Sequence, residues 1–158
     1  MSVAFVIVSQ LSGRIVNALG PRLPMTAGMA MMGAELFMLA LIPLNDSMIL
    51  IESALLVIGC GLGLNTAPVN AVAVASMPAA RSGTASGLVN TARMIGATLG
   101  IAVLGAVFAM FAGGASESTH IVGGLAPAYI GGGIGEMIGG VAAFLFIRAD
   151  ALRQLPRR

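Results

Sequence analysis

RSGTASGLVNTARMIGATLGIAVLGAVFAMFA, Arg81 to Ala112, is the stretch whose reading decides the fold. From Met94 to Ala112 it carries no charge, and with a helical lead-in from Gly83 it is long enough to cross a hydrocarbon core of roughly 30 Å at about 1.5 Å per residue. Small residues recur in it four apart: Gly83 and Gly87, then Ala92, Gly96 and Gly100. Such ladders let helices approach closely in lipid, where hydrophobic burial gives no drive for association. The segment is therefore expected to be a packed interior helix, with Gly83, Gly87, Gly96 and Gly100 at its contacts. Ser82 fits the N-cap, and Arg93 is the one charge inside.

The rest of the chain has the same character. Of 158 residues, 58% are hydrophobic and only 9% charged, too few to keep a wet surface, so the class is all-α integral membrane and the first partner is the lipid bilayer. The basic balance does not imply nucleic acid, because the arginines lie between apolar blocks and at the tail and not on a polar surface. Cys60, the one cysteine, lies within an apolar block and is expected to pack.

Working outward, four full transmembrane helices are predicted, at about 24–43, 48–75, 83–112 and 125–147, followed by a cytosolic tail at 148–158. Short polar connectors at Pro43 to Ser47, Met77 to Ser82 and Gly113 to His120 make successive spans antiparallel. Arg14, Arg22, Arg81, Arg148, Arg153, Arg157 and Arg158 all fall on one side of these spans, while Asp46, Glu117 and His120 fall on the other. By the positive-inside rule the arginine side, with the C-terminus, is cytoplasmic. The opening MSVAFVIVSQL is too short to span and has no signal-peptide pattern, so residues 1–11 read as an N-terminal half-helix, the end of a span beginning upstream. The other reading of it is a short amphipathic anchor.

Polar residues within the spans are the candidate functional groups. In GCGLGLNTAPVNAVAVASMP, Gly59 to Pro78, a proline deep in the span kinks the helix and places Asn65, Thr66 and Asn70 near the bend. These side chains either hydrogen-bond between helices or line a substrate cavity. Glu35, Arg93 and Glu136 each lie roughly ten to twelve residues from a cytosolic helix end, about 15 to 18 Å deep. Arg93 is expected to pair with Glu136 or Glu35, either as a structural ion pair or leaving the second acid to carry a proton.

Enzymatic readings fail on inventory. With one histidine, placed in a connector, neither a zinc site nor a buried Ser/His pair can be assembled, so no catalytic residue, metal or cofactor is expected. The glycines around Gly61 follow no strand and precede no phosphate-binding lysine, and Ser86 between Ala85 and Gly87 reads as packing.

Three stretches, SGRIVNALGPR (Ser12 to Arg22), GLGLNTAPVNA (Gly61 to Ala71) and above all RSGTASGLVNTARMIGATLGIAVLGAVF (Arg81 to Phe108), resemble the C-terminal part of a major facilitator superfamily transporter. The branch they look like is the EmrB/QacA-like one of fourteen-helix drug:proton antiporters. The resemblance implies part of the C-terminal helix bundle of a proton-coupled multidrug efflux protein in the plasma membrane. Asn65, Asn70 and Arg93 would line its cavity, and amphipathic or cationic small molecules would be its substrates. It also implies that Gly13, Asn17, Gly20 and Arg22 form the cytosolic loop motif, with Asn17 where the family has aspartate and Ala18 where it has a basic residue. The N-terminal transporter helices are missing from the sequence, so it reads as a truncated or split fragment not able to transport alone. The alternative is a small helical membrane scaffold or accessory subunit.

Overall fold

The computed structural model of the chain describes residues 2–41, 48–112 and 118–147. The expected connectors at 43–47 and 113–117 and the tail at 148–158, with Asp46, Glu117, Arg148, Arg153, Arg157 and Arg158, lie outside the described residues, as does the His120 side chain.

Five helices are formed: α1 (Ser2–Leu19), α2 (Arg22–Ala40), α3 (Met48–Ala75), α4 (Ser82–Ala112) and α5 (Ser118–Phe146), with a 3-10 turn at Ala79–Arg81 before α4. Among the described residues there is no strand, and all five helices are long and apolar enough to cross a membrane. The chain is an all-α multi-pass membrane protein.

The N-terminal segment differs from its sequence reading. α1 does not stop at Leu11 but runs 18 residues, about 27 Å, to Leu19. Ser9, Gln10, Ser12 and Arg14 lower the hydropathy there, yet none of them breaks a helix. The break comes at Gly20, whose φ of 81° is open to glycine and whose N–H donates to the Val16 carbonyl at 2.9 Å, followed by Pro21. Gly13 and Asn17, expected in a cytosolic loop, are exposed positions on α1. α5 likewise begins at Ser118 and not near residue 125, because hydropathy marks the membrane-embedded part of a helix and not its end.

α2 is the central helix, with α3 on one side and α5 on the other; α1 packs against α3, and α4 lies against α5 and α3. Two glycine crossings make this possible. A Cβ at Gly28 would meet the Gly61 carbonyl oxygen at 2.8 Å, and one at Gly61 would meet the Gly28 oxygen at the same distance. On the α5 side, a Cβ at Gly33 would stand 3.2 Å from the Gly133 oxygen, and one at Gly133 would stand 3.2 Å from the Gly33 oxygen. A Cβ has no room at the first crossing, and at the second it would force its neighbours to give way.

α3 contains Pro68, which has no N–H to give the Leu64 carbonyl four residues back. That carbonyl accepts instead from the Ser12 hydroxyl of α1 at 3.1 Å, and Ser12 is fully buried. A helix-breaking residue in one span is thus compensated by a hydroxyl from its neighbour, as hydrocarbon surroundings require.

The interior position expected for the Arg81 to Ala112 segment is not found within this chain. Of α4 only Ala85 is buried, and Cβ atoms at Gly83, Gly87, Gly96 and Gly100 would meet nothing within 4 Å. A small-residue ladder gives a surface shaped for close approach without saying which helix approaches it, and here the crossings are built on Gly28, Gly33, Gly61 and Gly133.

Two outcomes follow for the stability of the purified protein in detergent. Gly61→Ala destabilises it by about 1–3 kcal/mol through overpacking, whereas Gly13→Ala, also helical but facing open space, does not. Ser12→Ala costs about 1 kcal/mol, and markedly less in a Pro68→Ala background, where the new amide serves the Leu64 carbonyl; a double-mutant cycle read by thermal unfolding measures the coupling.

Candidate functional site

The polar groups inside the bundle collect around α2. Glu35, from an otherwise apolar stretch of that helix, is 1% exposed, and its Oε2 is buried with no hydrogen-bond partner. α5 runs antiparallel to α2, as the pairing of Met29 with Gly140 and of Leu36 with Gly132 requires. Glu35 lies two residues beyond the Gly33–Gly133 crossing on α2, and Glu136 lies three residues beyond it on α5 in the opposite direction. The two α-carbons are therefore about 7.5 Å apart along the helix axes, with Glu35 on the side of α2 that carries Gly28 and Met32 toward α3. Glu136 is half-buried.

Arg93 does not join them. It stands on the exposed face of α4. Leu104 of α4 packs on Gly131 and Gly132 of α5, which fixes the register of the two helices. From that level Arg93 is eleven residues toward the arginine-rich end and Glu136 only four or five, leaving Arg93 roughly 9 Å further along the axis. The similar depth counted from sequence assumed a common membrane boundary near Gly83, and helix packing does not respect that count.

Asn65 and Asn70 have different surroundings. Asn65 is half-buried at the Gly28–Gly61 crossing, where a Cβ on Gly28 would come within 3.2 Å of its own Cβ, and its Oδ1 is buried without a partner. Asn70 donates from Nδ2 to the Thr66 carbonyl at 3.0 Å, and the Thr66 hydroxyl donates to the Leu62 carbonyl at 2.7 Å. Those two side chains are turned onto their own helix around Pro68, while Asn65 keeps an open acceptor toward α2.

At the arginine-rich end, Arg22 opens α2, and the carbon of its guanidinium stands 3.8 Å from the centroid of the Phe144 ring near the end of α5. Its Nε is buried without a hydrogen-bond partner, so the cation is held by the ring face. Gly20 and Arg22, expected together in one loop, thus act separately: Gly20 turns the chain, and Arg22 braces α2 on α5. Phe144, Ser12 and Gly28 were not singled out from the sequence. The proline at 68 was the one available signal for Ser12, since a freed carbonyl demands a donor; an arginine and an aromatic ring on distant helices leave no spacing to read.

Among the described residues no three His, Cys, Asp or Glu side chains gather as metal ligands. The arrangement is an apolar bundle with the unpartnered oxygens of Glu35 on α2 and Asn65 on α3 buried inside it and Glu136 half-buried on α5.

Comparison with known proteins gives the same direction. Over 108 residues the chain is 41% identical to the multidrug resistance protein Stp of Mycobacterium tuberculosis, a match covering 68% of this chain and 20% of Stp. It is 32% identical over 141 residues to the multidrug efflux pump LfrA of Mycolicibacterium smegmatis, covering 87% of this chain and 27% of LfrA. It is 31% identical over 115 residues to the drug efflux pump JefA of Mycobacterium tuberculosis, covering 73% of this chain and 22% of JefA. The matched part is thus about a fifth to a quarter of the length of these relatives. No solved structure matches the chain. The sequence profile of the Major Facilitator Superfamily matches residues 1–101, well over half the chain, and together with a bundle of membrane-length helices it establishes that the chain belongs to the Major Facilitator Superfamily.

Proposed function

We propose that these helices are part of the C-terminal bundle of a proton-coupled multidrug efflux transporter of the fourteen-helix EmrB/QacA-like branch. The observation that carries this is the joint one of relatives named for multidrug resistance and efflux and of unpartnered polar atoms, Glu35 Oε2 and Asn65 Oδ1, buried within an apolar bundle. Substrates are amphipathic or cationic small molecules: an acidic interior favours cations, and apolar walls favour lipophilic ones. Asn65, with its open acceptor, is the substrate-facing amide, while Asn70 serves the bend at Pro68.

The protein works in the plasma membrane. α1 ends, α2 begins, α3 ends, α4 begins and α5 ends on one side, so Arg14, Arg22 and Arg81 share a face that the positive-inside rule makes cytoplasmic, with the C-terminus. Transport by alternating access rocks one bundle against another, so the activity belongs to the whole transporter. Its remaining helices cover α4, whose Gly83, Gly87, Gly96 and Gly100 have open space within this chain. That supplies the packing contact the ladder is shaped for.

The test uses the full-length transporter containing this chain, expressed in a drug-hypersensitive bacterial host and assayed in inverted vesicles. A pH gradient drives accumulation of a fluorescent cationic dye, and a protonophore abolishes it; dye movement under neither condition overturns the reading. Asn65→Ala raises the KM for the dye about three- to tenfold, the loss of one buried hydrogen bond, with expression unchanged. Gly96→Leu, which clashes with nothing in this bundle, lowers the yield of assembled transporter, read by size-exclusion chromatography.

A further inference from the structure

We propose that the groove between α4 and α5 receives one further transmembrane helix of the transporter, and that this helix carries an acid which pairs with Arg93. α4 and α5 are tightly joined at one place. A Cβ at Gly124 of α5 would meet the Phe108 carbonyl oxygen of α4 at 2.7 Å, and one turn along α4 Leu104 packs on Gly131 and Gly132. Beyond Leu104, toward the arginine-rich end, the two helices part. Gly135, one turn after Gly131 on α5, would carry a Cβ that meets nothing within 4 Å, and so would Gly100 and Gly96, one and two turns before Leu104 on α4. Ile138, two turns after Gly131, continues the α5 wall and is 66% exposed. Both walls thus carry glycine where they separate, and a third backbone can approach them closely.

Arg93 stands on the α4 wall of this wedge. Arg93, Gly96, Gly100 and Leu104, spaced at helical intervals, share one face of α4. That face is half-buried at Leu104 and exposed at Arg93, where α5 has turned away. Glu136 does not serve Arg93 from α5, because it points about 140° away from the Gly131 side of that helix. Three occupants are chemically distinct. An acyl chain fills an apolar groove but leaves a guanidinium within a span without a counter-charge. A second copy docked through the same face about a two-fold axis sets Arg93 against its own copy. A helix from the rest of the protein packs on the glycines and brings the acid, and the relatives, of which this chain matches about a fifth to a quarter, have the length to provide it. The inference rests on the reading above that the chain is part of a whole transporter, and adds where one further helix seats and which charge it brings.

The test uses the full-length transporter with a diazirine-bearing aliphatic residue, close to isoleucine in size, in place of Ile138. Irradiation in reconstituted vesicles joins it to one segment outside residues 1–158, found by mass spectrometry of the digest. Arg93→Glu lowers the yield of assembled transporter, read by size-exclusion chromatography, and reversal to lysine of an acid in that segment restores it; Arg93→Lys, which keeps the charge, retains assembly. Cross-linking to lipid alone, to residues of this chain alone or to a second copy overturns the seat. An Arg93→Glu protein that assembles normally, a cross-linked segment without an acid, or failure of every charge reversal in it to restore assembly overturns the pairing. Neither readout needs transport. A protein that cross-links and is restored but moves no dye upholds the inference and refutes efflux, and one that moves dye while cross-linking to lipid alone does the reverse.

Discussion

Everything else in the bundle depends on how closely α2 is approached by its neighbours. In lipid the apolar side chains gain little by turning inward, so helices associate through van der Waals contact and whatever polar groups can be shared. Gly28 against Gly61 and Gly33 against Gly133 bring the α2 backbone nearly into contact with α3 and α5, and methionines at 25, 29, 32 and 137 fill the irregular space beside the crossings. These crossings set the register, and the register in turn decides which polar groups meet. Asn65 faces α2, and Glu35 lies on the side of α2 turned to α3, because glycines sit where they do.

The polar chemistry of the interior follows from the same scarcity. A freed carbonyl at Leu64 finds the Ser12 hydroxyl; Arg22, with an unpartnered Nε, finds the face of Phe144. Each is a local deficit met by an adjacent helix, as a solvent without hydrogen bonds demands. Glu35 Oε2 and Asn65 Oδ1 are the deficits that the neighbouring helices leave unmet.

Membership of the Major Facilitator Superfamily gives these features a common setting. α2 makes the close glycine crossings with α3 and α5, while the small residues of α4 are almost wholly exposed within this chain.

The membrane class, the all-helical architecture and the family were legible in the sequence, because length, apolarity and turn chemistry are local properties that survive any arrangement of the helices. The presence of Glu35, Glu136 and Asn65 as polar groups within apolar helices was legible too, since a polar residue within an apolar run is conspicuous wherever that run packs. The tertiary structure alone decided that α2 is central and α4 peripheral, that α1 continues to Leu19, and that Arg93 stands on the exposed face of α4 apart from Glu35. In a soluble helix an apolar stripe announces the inner face. In lipid the outside is as apolar as the inside, so a glycine ladder or an isolated charge marks no direction, and neighbours are fixed only by the register in which whole helices cross.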